Sequence, residues 1–314
     1  MFIVENLIRN ASRSDKDNLS ILIVNEGFDD YISLLANGTN HNFYIVNGII
    51  PNVLQWSSKE TPSNVYVYNS IDSIPEKYID AIICFNRGKA FDVANEISHQ
   101  SHIPLIVVDF CSSMKLIPLA VSSRFDIPDN EKYQYFLKKG EACVGIDELV
   151  KRTWIGQVPS LAFDIPFPFY EYSSGEAVAK NKILVDNKMP PEFIRSLNLD
   201  GNIFTVNPSE AIAYMHLWQT KTPMLYRCMS SKIPTLVFDE KEFSDLLNKK
   251  TCILSNNLSE SLTRKGIEAF LSSKYLQETT EKAYDYMLEN TLEKFSEKWN
   301  NILDHVCNKP IIRG

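Results

Sequence analysis

Around residue 220 the sequence gathers the residue types that hold an anion. Gln219, Thr220, Lys221 and Thr222 form a polar turn between two apolar runs, Ala211 to Trp218 and Thr235 to Phe238. Thr222 followed by Pro223 is a helix start. Threonine suits the cap, and proline suits the first helical position, where no donor is needed. The predicted unit is strand, turn, helix, strand, with Met224, Leu225, Cys228 and Met229 on one side of the helix. In an open parallel sheet such a turn borders the ligand crevice, and the helix N-terminus favours negative charge. We read the stretch as the centre of a nucleotide-diphosphate site, with Gln219, Lys221, Thr222 and Arg227 as candidates. Lys188, just after the apolar run Lys182 to Val185, is a further cation for the same anion. Taken singly, each of these charges is also an ordinary solvated group near a helix end.

The first half holds the residues suited to acceptor chemistry. Asp109 directly follows the apolar run LIVV, so it lies at the carboxyl end of a buried strand. A carboxylate there can take the proton of an attacking hydroxyl; a cap for the loop after it is the equal alternative. The turn Asn86, Arg87, Gly88, Lys89 closes another strand at the start of a helix and can bind a phosphate, of a donor or of DNA, or be a plain connection. Residues 110–124, FCSSMKLIPLAVSSR, carry no acid within an acidic half. Lys115 and Arg124, with Lys138, Lys139, Lys151 and Arg152, can line a positive acceptor cleft whose apolar residues wedge at a flipped base. The bland alternative is an apolar loop packed on its domain. His216, on a buried strand, reads as a hydrogen-bonded core residue. No His, Cys, Asp or Glu grouping has metal-ligand spacing, so no metal is implied.

Positioning these groups requires alternating strands and helices. Apolar runs recur at Ser20–Val24, Phe43–Val46, Val65–Tyr68, Ala81–Phe85, Leu105–Val108, Cys143–Ile146 and Ser160–Phe163, with helical patterns at Tyr31–Ala36 and Lys89–His99. Continuous apolar strands separated by helices predict a parallel sheet buried on both faces. The segment 163–181, with two prolines and Ser-Ser-Gly, reads as a linker. After it the pattern resumes at Lys182–Val185, Asn202–Val206, the 211–240 unit and Thr251–Leu254. The last apolar stripe, Ala283 to Val306, is helical, with a cap box at Asn290 and Glu293 that breaks it in two. A chain of 314 residues fits two α/β domains.

No apolar run approaches the ~20 residues of a membrane span, and the polar N-terminus does not resemble a signal peptide. The six cysteines are scattered without a CxxC pair, and Cys84, Cys143, Cys228 and Cys252 sit in apolar segments, which predicts reduced core thiols and a cytoplasmic protein. Residues 1–150 hold 12 Lys and Arg against 19 Asp and Glu, whereas the remainder balances at 20 of each. That excess argues against a non-specific nucleic-acid binder and leaves a local basic patch open. No G-x-G-x-x-G follows a strand, which disfavours a dinucleotide-dependent dehydrogenase.

The second half resembles the donor domain of GT-B glycosyltransferases, two facing Rossmann-like domains with the active site between them. The likeness is to the retaining branch that ends this domain with E…E-A-M-A-x-G-x-P-V. LYRCMSSKIPTLVF stands where that motif falls, and FSDLLNKKTCILSNNLSESL resembles the next block. The resemblance implies an N-terminal acceptor domain over 1–165, a donor domain over 166–290, and a final helix over 291–314 that returns to the N-terminal domain. It places Glu26 and Gly27 near the donor sugar and puts the diphosphate among the cations above, without a metal or other cofactor. It also shows departures. Gln219 and Arg227 occupy the positions of two family glutamates, so the ribose must find another acceptor, Asp239 or Glu240. In general character the chain is similar to the phage enzymes that glycosylate hydroxymethylated cytosine. The implied activity is hexosyl or pentosyl transfer from a nucleotide sugar, UDP-linked, to a hydroxyl of 5-hydroxymethylcytosine in double-stranded DNA. A cell-surface glycan or lipid acceptor, or a non-catalytic nucleotide-sugar binder, are the alternatives.

Overall fold

A computed structural model describes residues 18–25, 28–51, 54–58, 60–75, 79–85, 89–109, 142–145, 161–169, 181–186, 195, 200–218, 221–238, 243–255 and 258–307. The described residues divide into two compact units. One holds residues up to 109, 142–166 and 292–307; the other holds 167–291.

The first unit begins with β1 (Ser20–Val24), α1 (Asp29–Gly38), β2 (Asn42–Val46), β3 (Val65–Tyr68) and β4 (Ala81–Phe85). It continues through α2 (Lys89–Ser101), β5 (Leu105–Asp109), β6 (Ala142–Gly145) and β7 (Leu161–Asp164). All seven strands are parallel, in the order β3-β2-β1-β4-β5-β6-β7. The centre of the sheet is β-branched and apolar because both faces are covered, and β1 and β4 are buried at every position. On one face Leu22, Val24, Ile82, Cys84 and Val107 pack with Phe91 and Ala94 of α2. Each such aliphatic side chain contributes about 1.5–3 kcal/mol by leaving water. The strand order reverses between β1 and β4, which opens a crevice outside their carboxyl ends.

The second unit runs β8 (Lys182–Leu184), β9 (Phe204–Thr205), β10 (Ala211–Met215), α3 (Pro223–Ser230), β11 (Thr235–Val237), α4 (Ser244–Asn248) and β12 (Ile253–Leu254). Helices α5 (Leu258–Ser261), α6 (Arg264–Leu271) and α7 (Leu276–Leu288) follow. Its five strands are parallel in the order β12-β11-β10-β8-β9, so the reversal falls between β8 and β10. Ile183, Val185, Ala213, Met215 and Leu217 form the core face against Ile267 and Phe270 of α6. By alternation Asp186, Tyr214 and His216 turn to the opposite face.

The last helix, α8 (Leu292–Cys307), belongs to the first unit. Its Phe295, Trp299, Ile302, Leu303 and Val306 are buried. Trp299 Nε1 donates to the Tyr31 hydroxyl at 3.0 Å, and Phe295 meets the Tyr31 ring edge-on at 5.3 Å. Gly38 ends α1 against this helix, where a Cβ would collide with the Ser296 hydroxyl and approach Leu292 Cδ1 at 3.3 Å.

Several boundaries differ from expectation for local reasons. The linker begins later than residue 163, because Asp164 still pairs with Gly145, and Ile165 and Phe167 are buried. The strand expected over 202–206 contracts to Phe204–Thr205. Helix α7 ends before Asn290, yet Asn290 does not cap α8. Its amide donates back to the Tyr286 carbonyl at 2.8 Å, closing α7, and α8 starts two residues on at Leu292. Cys84, Cys143, Cys228, Cys252 and Cys307 are buried thiols outside any disulfide. Among the described residues no helix is long and apolar enough to cross a membrane.

Candidate functional site

The carboxyl ends of β8 and β10, where the second sheet reverses, carry a buried polar layer. Asp186 lies two residues past the end of the first of these strands and is 3% exposed; it accepts from Trp218 Nε1 at 3.3 Å. Beyond β10 the chain stays in the ladder for one more bond, His216 N to the Leu236 carbonyl at 2.9 Å, before it turns. The Tyr214 hydroxyl and His216 Nδ1 are 2.9 Å apart, and the His216 ring stands edge-on to Phe243. Burial holds the Tyr214 phenol well above its ordinary range, the Asp186 carboxylate and Cys228 adding to the effect and the Thr222 hydroxyl opposing it. Burial also raises the Cys228 thiol, with Asp186 reinforcing and Arg227 opposing.

Helix α3 starts over this layer. Thr222 is its cap residue, with an extended backbone at φ −125° and ψ 161°, and Pro223 supplies the first turn. The Thr222 hydroxyl is buried and makes no hydrogen bond to its own helix. Pro223 has no N–H, and Leu225 N bonds the Thr222 carbonyl at 3.1 Å, so the helix start offers few donors and no side chain occupies them. Apolar positions Leu225, Tyr226, Cys228 and Met229 seat the helix.

The expected diphosphate cations are placed differently from one another. Lys221 is 3% exposed, and its ammonium meets Asp245 Oδ1 of α4 at 2.6 Å. The pair ties the turn to the next strand–helix unit. Arg227 is half-buried in the last turn of the eight-residue helix, more than one turn from Thr222. Gln219, Lys188 and Asp239 lie outside the described residues.

In the first unit the crevice between β1 and β4 has its own polar frame. Asn25, fully buried after β1, donates to Asp29 Oδ1 and to the Gln55 carbonyl, both at 2.8 Å, and accepts from Phe28 N at 2.9 Å. Asp29 also takes Ser57 N and Ser57 Oγ, at 2.8 and 2.6 Å. Gln55 accepts from Asn25 N at 2.7 Å through Oε1, which fixes the amide orientation, and its buried Nε2 has no partner. Lys89 is exposed at the start of α2. Asp109 is the last residue of β5, in register with Gly145, rather than the first residue after the strand. Glu26, Gly27, Arg87, Lys115 and Arg124 lie outside the described residues.

Asp186, Tyr214, Trp218, Asp245, Asn25 and Gln55 were not singled out from the sequence. For Asp186 the signal existed: an acid ending an apolar run, the same pattern that marked Asp109. The others depend on strand order. Among the described residues no group of three or more His, Cys, Asp or Glu is arranged to hold a metal ion.

No protein-family model matches the chain, and no curated protein matches it by sequence. Solved structures do match it in fold. Sucrose-phosphate synthase from Thermosynechococcus elongatus aligns over 92% of this chain and 99% of its own, at 10% identity and a TM-score of 0.60. HepE of Anabaena in complex with UDP-glucose aligns over 92% and 100%, at 9% identity and 0.59. A glycosyltransferase from Rickettsia africae aligns over 92% and 99%, at 12% identity and 0.54. The chain spans only 58% and 55% of the matched chains of the GtfA/B complex and of TarM. With two parallel-sheet α/β domains of seven and five strands and a last helix returned to the first, the chain has the GT-B glycosyltransferase fold.

Proposed function

We propose that this chain is a glycosyltransferase that moves a sugar from a UDP-linked donor to an acceptor hydroxyl. The observation that carries the reading is the start of α3 at the β8/β10 reversal. There a buried threonine that caps nothing faces a helix N-terminus suited to a diphosphate. The GT-B fold adds support, since HepE of Anabaena is solved with UDP-glucose. The diphosphate is held by the α3 N-terminus with Thr222 and Arg227, joined by Lys188 and Gln219. Lys221 acts through Asp245 to keep the turn in place. Asp239 takes the ribose, and Glu26 and Gly27 approach the sugar. As the bond from the sugar to the diphosphate breaks, the cations and helix dipole stabilise the charge developing on the leaving group. Asp109 orients the acceptor hydroxyl and takes its proton.

The acceptor we propose is 5-hydroxymethylcytosine in double-stranded DNA, with Arg87, Lys89, Lys115 and Arg124 on its phosphates. A net charge of −7 then requires those cations to act locally, and binding falls steeply with salt. Calorimetry with UDP, UDP-glucose, GDP and NAD tests the donor. Incubation with UDP-sugars and duplexes carrying cytosine or 5-hydroxymethylcytosine, followed by nucleoside masses, tests the acceptor. The expected result is UDP binding and a mass gain on the hydroxymethylated base only, lost in Asp109→Ala. Transfer to a glycan or lipid instead overturns the DNA acceptor, UDP binding without transfer makes the chain a nucleotide-sugar binder, and tight NAD binding without UDP binding overturns the whole reading.

A further inference from the structure

The outermost strand of the first sheet, β3, pairs with β2 on one side only. Phe43 N donates to the Asn64 carbonyl at 2.9 Å and Asn47 N to the Tyr68 carbonyl at 2.8 Å. Backbone groups alternate sides along a strand, so Asn64, Tyr66 and Tyr68 face β2 while Val65 and Val67 face outward. Val65 N is taken by the Pro62 carbonyl at 3.0 Å; the Val65 carbonyl and both backbone groups of Val67 point from the open edge. Apolar side chains gather here as well. Tyr66 and Val67 are 39% and 37% exposed, and with Leu54 and Ile71 they are four of the seven exposed large hydrophobics among the described residues. Tyr44 of β2 stacks on Tyr66 and Tyr68, at 5.4 and 6.3 Å between ring centroids, so a tyrosine row reaches the edge. Edge strands are commonly guarded by a lysine, a proline or a bulge. β3 carries none: its register with β2 is unbroken, and residues 61–71, TPSNVYVYNSI, hold no charge.

We propose that β3 is a dimer contact, pairing antiparallel with β3 of a second copy of this chain across a two-fold axis at Val67. The outward groups set the register. Val67 opposite the partner's Val67 exchanges both backbone bonds, and Val65 then lies opposite the partner's Asn69. Between these pairs, Tyr66 lies opposite the partner's Tyr68, twice over by symmetry, in the positions where side chains approach most closely. The two tyrosine rows thereby join into one. With only four residues in the strand, the ladder is short, and the aromatic row supplies most of the buried area. Charge identifies the occupant. Residues 1–150 carry 12 Lys and Arg against 19 Asp and Glu, so two copies repel, and they can approach where the chain is neutral. In a two-fold contact each residue near the axis meets its own kind, which a charge-free strand tolerates. A nucleic acid finds no cation here, since residues 60–76 hold no Lys or Arg. The contact is independent of the sugar-transfer reading.

Sedimentation of the full chain over a range of concentrations tests the proposal, with far-UV dichroism as the control for folding. The wild type should reach the mass of two chains and associate more tightly at high salt, which screens the repulsion between acidic copies. V67K and V67D each set like charges face to face across the axis and should weaken association on the order of a hundredfold. An equimolar mixture of the two should restore the dimer, because Lys then faces Asp. V67T, which keeps a β-branched side chain, should associate as the wild type does. A single-chain mass at every concentration, a dimer that survives in V67K, or a mixture that stays monomeric overturns the proposal. Slow exchange of the Val67 amide in a dilute, monomeric sample also overturns it, by showing that the chain itself already covers this edge.

Discussion

At the scale of single residues, two cations expected to do the same work occupy different environments. Lys221 is buried against a half-exposed Asp245, so removing the acid takes a close counter-charge from a buried ammonium, whereas removing the lysine leaves a carboxylate with access to water. Asp245→Ala is therefore expected to destabilise the second unit more than Lys221→Met does. The first loss should be about 1–3 kcal/mol, below the range for a fully buried pair because Asp245 reaches solvent. Urea titrations of both variants check the order, and the reverse order would mean that Lys221 is not held by this pair. Arg227 carries the donor prediction. Side chains on a helix lean toward its N-terminus, so a residue in the last turn of α3 can still reach back along it. Arg227→Ala should cost about 1.5–3 kcal/mol of UDP affinity, a lost charge-assisted bond, and an unchanged Kd would remove it from the site. The buried thiol of Cys252 gives a pH dependence. Burial and the Asp245 carboxylate push it up to about 12 from 9.0, while Lys221 opposes. A raised folded value means the native state holds the proton more tightly. The thiol's contribution to stability is thus fully present below pH 9 and is lost as pH rises toward 12. Cys252→Ala should flatten the alkaline limb of a stability–pH curve, which pH-resolved urea titrations check.

At the scale of elements, the close approach of α1 to α8 is set by a residue without a side chain. A Cβ on Gly38 meets the Ser296 hydroxyl, which already bonds the Leu292 carbonyl at 2.6 Å. Gly38→Ala should destabilise the first unit by about 1–3 kcal/mol through overpacking. Adding Ser296→Ala should recover a large part of that loss, because the nearest obstruction is the serine oxygen. Full additivity in the double variant would show that the two helices do not meet there. The elements themselves were largely legible in the sequence. Val65–Tyr68 and Ala81–Phe85 are strands end to end as read, the second because a strand buried on both faces leaves an unbroken apolar run. The site was legible only in part. Thr222 and Pro223 announced the helix start, but the neighbours of Thr222 depend on β8 lying beside β10 while β9 lies outside both. Strand order is a property of the sheet, and local pattern carries no record of it, so Tyr214 gave no signal, whereas Asp186 ends an apolar run as Asp109 does. Asn290 misled for a related reason. An asparagine before a helix and one after a helix look alike in sequence, and here its amide serves the helix behind it.

At the scale of the molecule, the chain leaves the first unit after Pro166 and returns to it at Leu292, so the last helix completes a core begun nearly three hundred residues earlier. Trp299 is fully buried and bonded to Tyr31, whose ring also meets Phe85 of β4 and Phe295. Near its end, the Cys307 thiol lies 3.7 Å from the Asp80 carbonyl, which precedes β4. Five large apolar side chains of α8 are buried, each worth about 1.5–3 kcal/mol, so their sum rivals the 5–15 kcal/mol by which a typical domain is stable. The first unit should therefore not fold without this helix, although the second unit holds no part of it. A chain ending at Asn290 is expected to keep one calorimetric transition, that of the second unit, and to bind a hydrophobic dye through an unfolded remainder. Trp299→Ala provides the same test without truncation. It should cost about 3–5 kcal/mol in the transition of the first unit alone, as expected for an emptied aromatic site. Two intact transitions in the truncated chain, with no dye binding, would show that α8 is an appendage rather than part of the core.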